Sequence, residues 1–190
     1  MKRFLRTLFA FLILLEALST FKLSAIASDF AWLGLVATAG LVWLLLELFD
    51  AAPFVWILAL IATMLDAASA LLLLYSRINP WDLIIHAVGG IVIAAGALEL
   101  VLRNMRKGYL QISRYRTAFV AMSVLMTVAF VGLFYEVLEY LVDRLHYGYL
   151  KSLVGAYDSI EDQLFNLLGG VMVLGVYYAW QWRKRWREEK

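Results

Sequence analysis

The sequence predicts an all-α, polytopic membrane protein, a bundle of about six transmembrane helices. Three observations support this prediction. Hydrophobic residues make up 64% of the 190-residue chain and charged residues only 17%, whereas a soluble domain is about half apolar and about a quarter charged. The mean hydropathy is +0.79. The apolar residues also form long runs of about 20, the length that a helix needs to cross the hydrocarbon core of a bilayer.

Six apolar runs qualify as spans, and the segments between them are short. They cover residues 4–26, 30–49, 53–75, 83–102, 119–142 and 163–182. The chain has two prolines and lacks a Ser/Gly-rich linker, which favours a single transmembrane domain over residues 1–190. It also contains no cysteine. Disulfides, thiolate metal sites and cysteine nucleophiles are therefore excluded.

The first run also resembles a signal peptide. Basic residues precede it, and Ala-Ile-Ala at 25–27 resembles a cleavage site. Against this interpretation, Glu16 and Lys22 interrupt the apolar run. We therefore expect this segment to be a retained helix.

Basic residues are concentrated in three segments, which predicts the orientation of the helices. The segments contain Lys2, Arg3 and Arg6; Arg103, Arg106, Lys107, Arg114 and Arg116; and Arg183, Lys184, Arg185 and Arg187. Six spans place all three segments on one side, and an excess of Lys and Arg marks the cytoplasmic side. We expect both termini in the cytoplasm. The net charge of only +2 gives no reason to expect a nucleic-acid partner, and membrane lipids are the expected neighbours.

Polar side chains occur at the predicted outer ends of the last three spans. They are Asp82 and His86; Glu136 and Glu139; and Asp158, Asp162 and Asn166. Residues three or four apart share a helix face, so each set forms a stripe at a similar depth. Carboxylates at such a depth are costly and usually face the bundle interior or a water-filled cavity. We therefore expect the three stripes to converge.

Five carboxylates beside one histidine would repel one another unless some were protonated or a cation lay among them. Oxygen-rich clusters with one imidazole suit Mg, Mn, Fe or Zn better than a soft metal. The sequence thus predicts a divalent-metal site supported by Asn166, with these six ligands: Asp82, His86, Glu136, Glu139, Asp158 and Asp162. Gly89-Gly90 and Gly169-Gly170 allow the helices to approach closely.

Each stripe also has a purely structural interpretation. Asp82 follows Asn-Pro and can cap its helix, and Asp158 with Glu161 reads as a capping box. Glu136 and Glu139 can be solvated acids at the membrane surface, and His86 can be a buried histidine with satisfied hydrogen bonds. Convergence of three helices on one side favours a shared functional site.

These motifs resemble the VanZ-like superfamily, in particular its YjdF-like group of small membrane proteins. The similarity covers roughly residues 80–175. It rests on three short motifs: Asp82, His86, Gly89 and Gly90; Tyr135, Glu136 and Glu139; and Asp158, Asp162, Asn166 and Gly169. The resemblance implies a bacterial or archaeal cell membrane and a loose association with envelope chemistry, but it implies no reaction.

Three functions remain open. The first is an enzyme in which metal polarises a phosphoryl oxygen or activates water, with Glu136 or His86 as general base, acting on a lipid-linked or phosphorylated substrate. Its cationic clamp would come from Arg77, Arg144 or Lys151, which are equally plausible lipid anchors. We expect residues 144–157 to lie against the outer membrane surface and partly cover the cluster. The second is a cation- or proton-coupled transporter, which six helices without an evident repeat support only in an oligomer. The third is a structural subunit of a membrane complex.

Overall fold

The structure is a computed structural model that describes residues 1–27, 31–72, 74, 78, 80–111, 115–142, 144 and 156–188. This part of the chain contains six α-helices and no strand, which confirms the all-α prediction. The helices are α1 Lys2–Ala27, α2 Ala31–Leu48, α3 Pro53–Leu71, α4 Trp81–Arg106, α5 Arg116–Val142 and α6 Ala156–Glu188. They belong to two compact units, which we call unit 1 (Met1–Asn79) and unit 2 (Pro80–Lys190).

Three described helices are long and apolar enough to cross a membrane: Trp81–Arg106, Arg116–Leu141 and Tyr157–Glu188. The chain is therefore an α-helical membrane protein, and the number of passes stays a prediction. The predicted bounds lie within a few residues of the observed helices except for α6. That helix begins at Ala156 rather than at residue 163 and ends at Glu188 rather than at residue 182. The charged residues at its two ends lower the average hydropathy below that of a membrane span, yet the backbone remains helical there.

Unit 1 is centred on a pair of aromatic residues. The Phe9 and Trp56 side chains, from α1 and α3, are fully buried and meet edge to face with ring centroids 6.0 Å apart. Aromatic pairs in this geometry contribute about 0.5–1.5 kcal/mol beyond the area that they bury. At the start of α1, Arg6 Nε lies 2.8 Å from Glu47 Oε1 of α2. The described charges at this end of unit 1 thus pair between α1 and α2.

The turn between α2 and α3 is fixed by local hydrogen bonds. The Ala51 N–H donates to the Leu46 carbonyl at 2.9 Å, and Asp50 adopts a left-handed φ of 47°, as in a Schellman motif. Lys2 Nζ lies 2.8 Å from Asp50 Oδ1. Pro53 opens α3 at the first helical position, where its missing N–H leaves no hydrogen bond unmade.

Unit 2 depends on close backbone contact between α4 and α6. A Cβ added at Gly90 would overlap the Asn166 backbone, and one added at Gly169 would overlap the Ala87 carbonyl. Only glycine allows this approach, which confirms the expectation from the glycine pairs. Next to this crossing lies a core of small and medium-sized side chains: Ala94, Val124, Val128 and Leu174.

The contact between α5 and α6 includes a polar side chain that lies over a glycine. Gln163 Nε2 of α6 donates a hydrogen bond of 2.8 Å to the Ala129 carbonyl of α5. The same side chain lies over Gly132, where a Cβ would overlap Gln163 Oε1. These contacts fix the register of α5 and α6 one turn from the polar residues.

Candidate functional site

Three predicted site residues meet where α4 and α6 face each other. His86 Nε2 lies 3.5 Å from Asp162 Oδ2 and 3.8 Å from Asp82 Oδ1. One ligand atom from each of the three side chains lies within 4.8 Å of the others. Ligands bound at about 2.1 Å to one ion are separated by about 3.0–3.4 Å in octahedral or tetrahedral geometry. The observed spacing therefore fits a single small cation after minor side-chain adjustment.

The buried member of this group is Asp162, which is 2% exposed, whereas the Asp82 side chain is half exposed. Within the described residues, Asp162 Oδ1 is buried and has no hydrogen-bond partner. A buried carboxylate oxygen without a partner is costly unless a proton or a cation satisfies it. This unpaired oxygen is the feature that fits a metal ion best.

Asn166 supports the imidazole from the opposite side. It is buried, and its Nδ2 lies 3.3 Å from His86 Nδ1. The Tyr135 ring of α5 packs against the imidazole edge to face, with centroids 6.1 Å apart. In this orientation the Asn166 amide donates to Nδ1, whereas a metal-bound histidine commonly donates its second ring N–H to an oxygen acceptor, which here requires the reversed Asn166 amide. The amide orientation decides which ring nitrogen carries the proton.

The remaining three predicted ligands surround this group but are not part of it. Glu136 is 6% exposed, and neither of its carboxylate oxygens has a hydrogen-bond partner of standard geometry among the described residues. Glu139 and Asp158 are partly buried. All three interact electrostatically with the carboxylates of the central group. The structure thus brings Asp82, His86 and Asp162 to single-ion distance, and ligation by the other three stays a prediction.

The capping interpretation of two acids does not fit the helix bounds. α4 begins at Trp81, after Pro80 in the N-cap position, which makes no side-chain capping bond. α6 begins at Ala156. Asp82 and Asp158 therefore lie inside the first helical turn. There they still interact favourably with the helix dipole, but they do not act as N-caps.

Sequence reasoning missed Gln163. It lines a groove of about 290 Å³ between α5 and α6, together with Leu133, Glu136, Ser159, Ile160 and Leu164. A signal was present, because Gln163 lies four residues after Ser159 and so shares its helix face. Only the neighbouring acid, Asp162, is among the site residues that the sequence predicts.

The predicted cationic clamp is only partly visible. The Arg144 guanidinium lies 5.9 Å from the centre of the Tyr140 ring, a typical cation–π distance. Arg77, Lys151 and most of the proposed lid (residues 145–155) lie outside the described residues. The clamp and the lid therefore stay predictions.

Comparison with known proteins places the chain in a family. Residues 1–183 match the family described as predicted membrane protein (DUF2238), so the chain belongs to that family. No curated protein and no solved structure matches it. Membership agrees with the membrane assignment, whereas the VanZ-like and YjdF-like names find no support in this match.

Proposed function

We propose that unit 2 holds a divalent cation between Asp82, His86 and Asp162 and is a metal-dependent enzyme. The observation that carries the proposal is the meeting of three ligand atoms within 4.8 Å, beside a buried Asp162 oxygen that has no hydrogen-bond partner among the described residues. Two carboxylates and one imidazole suit Mg, Mn, Fe or Zn. We expect the substrate to be a lipid-linked or phosphorylated envelope compound.

In this proposal the bound cation and the side chains around it have different roles. A bound divalent cation supplies Lewis acidity toward a phosphoryl oxygen or a water molecule. Glu136 accepts the proton of the attacking water as general base; it is buried beside the ligands. Asn166 holds the His86 ring in place. His86 acts as a base itself only if no metal binds.

One observation favours a second candidate, a proton-coupled or cation-coupled transporter. With the Asn166 amide nitrogen facing His86 Nδ1, the imidazole carries its proton on Nε2 and directs it toward Asp162. Such a His–Asp pair is a proton-binding unit of the kind found in transporters. The metal-dependent enzyme requires the opposite arrangement, in which Nδ1 carries the proton and Nε2 binds the ion.

Metal analysis of the purified full-length protein tests the proposal. We expect about one divalent ion per chain, lost in Asp162→Asn and His86→Gln and retained in Glu99→Gln. Glu99 is a matched control because it is a half-buried acid on α4, paired with Arg103 at 3.7 Å. Wild-type protein without a bound ion, or equal metal content in all variants, would refute the metal site.

Nitrogen NMR of the same samples separates the two candidates. The chain has two histidines, so His146→Gln leaves His86 as the only imidazole. A protonated Nδ1 with metal-bound Nε2 supports the enzyme. A protonated Nε2 that persists in the presence of metal supports the proton-coupled alternative.

We also propose that both termini are cytoplasmic, in a bacterial or archaeal cell membrane. The motive is the shared side of the three basic segments, together with the VanZ-like resemblance of residues 80–175. Because the natural chain has no cysteine, Lys107→Cys and Arg144→Cys are clean single-site probes. Lys107→Cys should react only with reagents that reach the cytoplasm and Arg144→Cys with impermeant reagents outside. The reverse pattern would overturn this orientation.

A further inference from the structure

The groove between α5 and α6 combines an apolar surface with unsatisfied hydrogen-bond acceptors. Its apolar residues, Leu133, Ile160 and Leu164, are all more than half exposed. Its volume of about 290 Å³ has room for about ten water-sized groups. That is sufficient for a segment of one alkyl chain but not for a complete two-chain lipid. The groove therefore holds one chain of a lipid, and any second chain lies outside it.

The groove holds more hydrogen-bond acceptors than donors, because the Ser159 hydroxyl, which interacts with Glu136, is the one donor there that is not already used. Both Glu136 carboxylate oxygens and Gln163 Oε1 are buried and have no hydrogen-bond partner of standard geometry within the described part of the chain. The Gln163 amide cannot reverse without losing the bond from Nε2 to the Ala129 carbonyl, so its oxygen is held as an acceptor. One hydroxyl can donate to only one of these three acceptors, so the others call for a ligand that donates.

The surrounding charge selects the kind of donor. Asp158 and Asp82 act electrostatically on Glu136 and add to its negative potential. A neutral hydroxyl would satisfy hydrogen bonding but leave this charge uncompensated, whereas an ammonium group supplies both N–H donors and a positive charge. Charge complementarity thus favours a cationic head.

We propose that this groove binds a membrane lipid that carries a primary ammonium group, with one chain against Leu133, Ile160 and Leu164 and the ammonium at Glu136 and Gln163. This inference rests on the proposed function and deepens it by naming the substrate class of the site: the ammonium occupies one Glu136 carboxylate oxygen and leaves the other to act as general base. It adds a recognition element that the metal ligands do not provide, because they are suited to a phosphoryl group rather than to an amine.

Single-chain probes separate charge from hydrogen bonding. The full-length protein in phosphatidylcholine nanodiscs is crosslinked to a photoreactive long-chain amine, and three competitors are compared. Dodecylamine has both charge and N–H donors, dodecyltrimethylammonium has only the charge, and dodecanol has only the hydroxyl. We expect dodecylamine to compete at about tenfold lower concentration than either of the others, as a charge-assisted hydrogen bond predicts.

Variants locate the effect. Glu136→Gln should remove the preference for dodecylamine, and Ile160→Trp should fill the groove and abolish crosslinking. Val176→Trp is the matched control for Ile160→Trp, because Val176 is an exposed residue of the same helix outside the groove. Its crosslinking should equal that of the wild type.

Three outcomes would overturn the proposal. Equal competition by all three probes indicates nonspecific apolar binding, and stronger competition by dodecanol indicates a hydroxyl lipid instead. Crosslinking that survives Ile160→Trp places the site elsewhere. All measurements are made with a chelator present and repeated in Asp162→Asn. Failure of the metal site therefore leaves this result intact, and failure of lipid binding leaves the metal analysis intact.

Discussion

Units 1 and 2 are both apolar, yet they treat their charged residues differently. In unit 1 the described acids at the end of α2 pair with basic residues of α1, Glu47 with Arg6 and Asp50 with Lys2. In unit 2 the buried acids Glu136 and Asp162 keep oxygens without a partner in the described part of the chain. Paired charges at a helix end stabilise a fold modestly. Unpaired buried acids destabilise it, so their presence points to a task other than stability.

The two units also differ in how their helices pack. Unit 1 buries two large aromatic rings, Phe9 and Trp56. Unit 2 brings backbones together at Gly90 and Gly169 and buries small side chains. At a glycine crossing the backbones touch, so even an added methyl group forces the helices apart. The unit with the candidate site thus has the more exacting geometry.

The largest expected effect is on unit 1. Trp56→Ala removes a fully buried ring and should lower the free energy of unfolding by about 3–5 kcal/mol. Hydrogen exchange in detergent micelles should increase mainly in peptides of α1–α3. Metal content should stay at the wild-type level, since the ligands lie in unit 2. Faster exchange confined to α4–α6 would contradict the expectation that the Trp56 ring stabilises unit 1.

A smaller but more selective effect is expected for Gly90→Ala. The new methyl group would overlap the Asn166 backbone, so α4 and α6 must separate, at a cost of about 1–3 kcal/mol. Because Asp162 and Asn166 move with α6, bound metal should be lost as well. Melting temperature and metal content, measured on one sample, check both effects.

Gly175→Ala is the matched control. Gly175 lies on α6 with no atom within 4 Å of an added Cβ, so this variant should keep both the wild-type metal content and at least the wild-type melting temperature. If Gly90→Ala and Gly175→Ala behave alike, the close crossing is not what positions the site.

The fold and part of the site could be predicted from sequence because both follow from spacing. Apolar run length located the helices, and the four-residue spacing of Asp82 and His86 placed them on one face. The partner of His86 could not be chosen this way. Suitable spacing is shared by four acids: Asp158, Asp162, Glu136 and Glu139. Only the rotation of α6, which the contacts at Gly90 and Gly169 set, brings Asp162 rather than the other acids to His86. Spacing places Gln163 on the helix face of Ser159, but its contact with Ala129 depends on how α5 and α6 pack and has no signal in the spacing.

The 33-residue length of α6 relates the position of the candidate site to the thickness of the bilayer. Asp162 and Trp182 lie on this one helix, and at 1.5 Å per residue they are about 30 Å apart along its axis. The hydrocarbon core is also about 30 Å thick. When the Trp182 indole rests at one interface, an upright α6 places Asp162 at the boundary of the other. In this arrangement a thicker bilayer would place the Asp162 carboxyl in the hydrocarbon core, and a thinner one would expose it to water. The thickness of the membrane would then determine how hydrated the candidate site is.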